Sequence, residues 1–243
     1  VDPSSPFSGG AILGDRVRMQ ALAGDPGVFI RSMASRGTLG GLAATTADLA
    51  RALDAAGFDQ VVIETVGAGQ SEIDVARTAQ TTIVIEAPGL GDDVQAIKAG
   101  ILEIADILVV NKADQPGVEA TVRALKSALE LESAARVSGE AAPGWSVPVL
   151  TTVATVGDGI ETVIDALAAH RIQMQSSPIG QQREIQRLRR ELEARLRQRV
   201  WQRVEARLAP DTLDLLAAQV HQRVIDLESA VKSVLASTHT HTE

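Results

Sequence analysis

The stretch ILVVNKAD, from Ile107 to Asp114, sets an amide, an ammonium and a carboxylate directly after four apolar residues. Such a run reads as a strand buried on both faces, since a half-exposed strand would alternate apolar with polar. A strand leaving the core at its carboxyl edge delivers the residues after it to the rim of a ligand crevice. Three more runs have the same tone: VVIE at 61–64, TIVIEA at 82–87 and VPVLTTVA at 147–154. Helix-period segments lie between them, at 42–56, 93–105, 118–132 and 160–170, with Gly57 placed as a helix stop. Strand alternating with helix predicts an α/β fold: a doubly wound parallel sheet with right-handed crossovers.

Composition supports this and narrows the chemistry. The chain has 243 residues, 45% of them apolar but only 2% aromatic, so its core must be built from Ala, Val, Leu and Ile. The absence of cysteine excludes a disulfide scaffold and a thiolate zinc site, and suits a reducing, cytoplasmic setting. A net charge of -8 argues against general nucleic-acid affinity. No uninterrupted apolar run is long enough to span a membrane, and no signal segment opens the sequence.

After Ser176-Ser177-Pro178 the character changes, so the sequence divides at 1–175 and 176–243. Ile185, Leu188, Leu192, Leu196, Val200, Val204 and Leu208 recur every three or four residues in an Arg- and Glu-rich segment. Pro210 interrupts it, and Leu216, Val220, Val224, Leu227, Val231 and Val234 continue the pattern. The expectation is two amphipathic helices, packed on their own domain or forming a homodimer interface. The mixed charges read as a solvated helix face, and the terminal His239 and His241 as a frayed end.

Asn111 to Asp114 fits guanine. The Asp114 carboxylate can accept from N1–H and the exocyclic amine together, a donor pair that adenine lacks. The Lys112 stem can lie along the base with its ammonium outside, while the Asn111 amide ties neighbouring loops. Glu64, ending VVIE, can hold a magnesium-bound water, and Gly67 lets a backbone N–H approach a terminal phosphate. An ordinary Gly-rich turn would look similar. Asp2 and Asp15 can reach a metal shell or serve in turns. Asp92 or Asp93 suits a helix N-cap, and from physics alone the loop around Lys98 is a plain capped turn.

Taken in order, VDPSSPFSGGAILGDRVRM, SRGTLGGLA, ETVGAGQSE, PGLGDDVQAIKAGI and NKAD closely resemble the MeaB/ArgK family, GTPases associated with methylmalonyl-CoA mutase. The resemblance covers roughly 1–170, and the helices beyond match the family's dimerising extension in kind. It implies a P-loop NTPase-like fold and a metallochaperone that binds GTP and GDP with Mg2+. Such a protein gates the loading of adenosylcobalamin into the mutase. Carried over, Asn111, Lys112 and Asp114 select guanine, and Thr152, Val153 and Ala154 border its oxygen, with Val153 where Ser is commoner. Asp2, Asp15 and Glu64 lie near magnesium, with Asp2 positioning the attacking water. Glu64 and Gly67 sense the γ-phosphate, and Asp92, Gln95 and Lys98 relay nucleotide state to the mutase.

One departure matters. No G-x-x-x-x-G-K-[ST] occurs, and none of the four lysines, Lys98, Lys112, Lys126 and Lys232, follows a glycine. The family carries that motif ahead of VDPSS, so the expectation is an N-terminally truncated sheet and poor GTP turnover by this chain. A non-catalytic mutase-binding module is the alternative. Nickel insertion is a weaker one, lacking a Cys/His-rich tract.

Overall fold

The computed structural model describes residues 24–33, 41–65, 78–89, 102–136 and 144–239, with Met19 and Leu22. Two compact units emerge, Val1–Leu188 and Arg189–Glu243.

The first unit is α/β. Helix α1 (Gly41–Ala55) ends where Gly57 turns left-handed at φ 90°. Phe58 N–H there donates to the Leu53 carbonyl at 3.1 Å, closing the last turn across the glycine. Strands β1 (Ile83–Glu86), β2 (Ile107–Asn111) and β3 (Val149–Thr152) follow, with α2 (Val118–Arg136) between the last two and α3 (Ile160–Ser176) after them. The strands pair in the order β1-β2-β3, all parallel, with Ile83 opposite Ile107 and Asn111 opposite Thr152.

The central strand explains the apolar run. Leu108 and Val110 pack with Leu102, Ala105 and Leu125 of α2, against Val84, Val122 and Val149. Side chains alternate along a strand, so Ile107 and Val109 point to the other face, and they are buried as well, at 0% and 4% exposure. A central strand covered on both sides fits the doubly wound arrangement expected.

One expected strand is absent. Residues 61–64 form no ladder; Val62 is 90% exposed and Val61 lies at the surface. An apolar run becomes a strand only beside a partner for its N–H and C=O groups, and none of the described strands supplies one. Of the helix expected at 93–105, residues 93–101 lie outside the described residues, and the rest is a short 3-10 turn at Leu102–Ile104.

Helix α4 (Pro178–Glu205) follows α3 after a single residue, Ser177. Proline is tolerated in a first turn, and the Ser177 hydroxyl accepts from Gly180 N–H at 3.0 Å. Gly180 is needed: a Cβ there would run into the Met174 backbone.

In the second unit α4 carries ion pairs four residues apart, Arg195 to Glu191 at 3.1 Å and Arg189 to Glu193 at 3.1 Å, as a solvated face requires. Beyond Pro210 one more helix was expected; the chain forms two, α5 (Thr212–His221) and α6 (Leu227–His239). Arg223 at φ 58° stops the first, and Asp226 caps the second, its carboxylate accepting from Ser229 N–H at 2.9 Å. Among the described residues no helix is long and apolar enough to cross a membrane.

Candidate functional site

The tips of β2 and β3 meet at Asn111. Its Oδ1 accepts from the Thr152 hydroxyl and from Ala154 N–H, each at 3.1 Å, which binds two loops 41 residues or more apart in sequence. Ala113 N–H donates to the Thr152 carbonyl at 3.0 Å, carrying the β2–β3 pairing one step beyond the strands. The chain then turns sharply. Lys112 has φ 57°, a left-handed conformation that costs a non-glycine residue of order 1–3 kcal/mol and persists only where its surroundings impose it. Gln115 N–H closes the turn onto the Lys112 carbonyl at 2.9 Å.

Lys112 and Asp114 are exposed on this rim. The Asp114 carboxylate accepts from the neighbouring Gln115 amide at 3.1 Å, an exposed bond that another donor can replace. On the β3 side, Thr152 is buried while Val153 N–H is held by the Asp158 carbonyl at 3.0 Å. Gly159, at φ 74°, lets α3 begin directly beneath, since a Cβ there would overlap the Thr151 carbonyl. Asp158 and Gly159 were not anticipated from the sequence; the only signal was the glycine-flanked turn GDG before α3.

The structure thus gathers Asn111, Lys112, Asp114, Thr152, Val153 and Ala154 on one rim. Glu64 is exposed in the segment after α1. Asp2, Asp15, Gly67, Asp92, Gln95 and Lys98 lie outside the described residues. Among the described residues no group of three or more His, Cys, Asp or Glu side chains is gathered for a metal. Glu86, overlooked in the sequence, ends β1 beside this rim in the register Glu86–Val110, and burial raises its carboxyl above the ordinary value.

A second polar cluster lies at the opposite, amino ends of the strands. Asp106, just before β2, accepts from Thr82 N–H at 2.9 Å and from Arg183 of α4 at 3.1 Å. Burial opposes its ionisation. The facing His170 ring, the Thr82 N–H and the Arg183 guanidinium outweigh that and hold the carboxyl below its ordinary value.

The profile of the family described as methylmalonyl Co-A mutase-associated GTPase MeaB matches residues 1–209. A Pyrococcus abyssi protein bearing a GTPase name is 46% identical over 235 residues, 97% of this chain and 71% of its own. The GTPase ArgK of Escherichia coli is 39% identical over 197 residues, 79% of this chain and 59% of its own. Among solved structures, an LAO/AO transport system kinase superposes with a TM-score of 0.59 at 25% identity, covering 93% of this chain and 69% of that one. With the parallel sheet, the NKAD rim and these matches in hand, the chain belongs to the MeaB family of methylmalonyl-CoA mutase-associated GTPases.

Proposed function

We propose that the rim at the tips of β2 and β3 binds the base of GTP and GDP, and that the protein uses this site to gate adenosylcobalamin loading of methylmalonyl-CoA mutase. The observation that carries the reading is the left-handed Lys112 between a tethered Asn111 and an exposed Asp114. That geometry turns the carboxylate outward at a strand tip, where it can take both guanine donors in place of Gln115. Ala154 N–H and Val153 N–H already have acceptors in Asn111 and Asp158, so a contact with the guanine oxygen would be a shared one. By family likeness, Asp2, Asp15 and Glu64 would hold Mg2+ and its waters, and Gly67 would meet the γ-phosphate. Asp92, Gln95 and Lys98 would carry nucleotide state to the mutase.

Calorimetric titration of the chain with GDP and with ADP tests the base site. GDP is expected to bind and ADP to bind at least roughly 100-fold more weakly, because the wrong base leaves Asp114 unpaired. Asp114→Asn exchanges an acceptor for a donor, so it should lose GDP and gain xanthosine diphosphate. Equal affinity for GDP and ADP would overturn the guanine reading. A second reading is a mutase-binding module without turnover. Capture of the mutase in the presence of GTP or GDP, alongside phosphate release, separates the two.

A further inference from the structure

His170, on α3, is fully buried, yet among the described residues its Nε2 has no hydrogen-bond partner. The other ring nitrogen, Nδ1, lies 2.8 Å from the Thr81 hydroxyl, and the Trp145 indole meets the ring edge-on with centroids 4.9 Å apart. Nε2 faces Asp106 Oδ1 across 3.4 Å, longer than a good hydrogen bond, and that same oxygen is held at 3.1 Å by Arg183. Trp145 fixes the spot from the far side, its indole N–H donating to the Asp106 carbonyl at 2.6 Å. Two potential cations therefore address one buried carboxylate oxygen. They are not equivalent: Arg183 has a half-exposed side chain, whereas His170 has no access to water.

We propose that His170 is a proton-operated latch on the root of α4. With the ring neutral, Asp106 belongs to Arg183, and the first turns of α4 are fastened to the base of the sheet. A proton on His170 makes a buried cation that must take the nearest anion, since an unpaired charge cannot stay in a dry interior. Asp106 then turns to the imidazolium, and Arg183, able to reach solvent, is released. Among the described residues the other groups meeting this cluster are neutral: Thr81, the Thr82 N–H, Trp145 and the Met174 sulfur, 3.6 Å from Arg183. Further along α4, Arg187 is paired with Glu184 at 2.7 Å and donates to the Thr78 carbonyl at 3.3 Å, a second fastening with its own carboxylate. The latch does not depend on the nucleotide reading.

The chain has two tryptophans, so Trp201→Phe leaves Trp145 as the sole indole reporter against His170. Its emission is followed as the pH is lowered from about 8 to about 5. Circular dichroism monitors folding in the same samples. Hydrogen exchange at 178–188, corrected for the intrinsic effect of pH, reads the latch itself. A single-proton quenching step is expected, with exchange at the α4 root rising several-fold across it. His170→Gln should remove both changes. Arg183→Gln, at a half-exposed position, should make the α4 root exchange fast at every pH while the quenching step survives. A flat emission profile, an unchanged step in His170→Gln, or exchange at 178–188 indifferent to pH would each overturn the proposal. Should His170→Gln unfold, the Arg183→Gln pattern alone decides it.

Discussion

At the residue scale, Asn111 carries more of the site than the acidic residue three places on. Its Oδ1 serves the hydroxyl of a buried threonine and a backbone N–H. Asn111→Ala leaves both donors without their acceptor, so unfolding in urea should show a loss of about 1–3 kcal/mol. Asp106 and Glu86 make opposite predictions. The folded Asp106 carboxyl sits below its ordinary value of 3.8, so its stabilisation is complete above that value and disappears as the pH falls through the lower folded one. Asp106→Asn should therefore cost about 1–3 kcal/mol near neutral pH and progressively less in acid, as urea titrations at several pH values would reveal. Glu86 is raised by burial, so its charged form is disfavoured in the folded state, and stability drops as the pH rises past 4.5. Glu86→Gln should melt higher than the parent near neutral pH and equally near pH ~4, where both are uncharged. The Asp106 cluster was invisible in the sequence because its partners, Thr82, Trp145, His170 and Arg183, are 24 to 77 positions away. Only an acid standing before an apolar strand hinted that something would have to neutralise it.

At the element scale, what the sequence disclosed depended on whether an element makes its own case. Helices α1 and α2 begin within a residue of where periodicity placed them, and the buried runs at β1, β2 and β3 are strands. Residues 61–64 have the same composition and are not, because a strand is completed by its neighbour and not by its own residues. The division of the last helical stretch into α5 and α6 hangs on Arg223 and Asp226, a polar pair inside a pattern that apolar spacing alone reads as continuous. The junction of β3 with α3 is tightest at Gly159, whose φ of 74° and missing Cβ let the helix start against the Thr151 carbonyl. Gly159→Ala is expected to destabilise by about 1–3 kcal/mol. It should also weaken GDP binding, since the displaced backbone is the one that Asn111 holds through Thr152 and Ala154. Loss of stability with GDP affinity fully retained would show that the two loops are independent.

At the scale of the whole molecule, the second unit presents an apolar stripe to its surface. Leu192, Leu196 and Val200 of α4 are 67%, 60% and 51% exposed, and Leu215, Val224, Leu227 and Val231 add to the same unit's uncovered surface. Isolated surface leucines need no explanation, but a stripe repeated every four residues along one helix is a large cost in water, of order 25 cal/mol per Å2. The ion pairs from Glu191 to Arg195 and Glu193 to Arg197 line the flanks of that stripe, as in helices that associate through an apolar seam with charged borders. A second copy of the chain offers the same stripe, and a twofold interface pairs it with itself. Sedimentation equilibrium should accordingly give twice the chain mass of 25.5 kDa, and Leu192→Glu combined with Leu196→Glu should return it to the single-chain value. Because the exposed stripe contributes little to the fold of one chain, the double variant should keep its helical circular dichroism. A parent chain that sediments as a monomer at micromolar concentration would rule out self-association through this face.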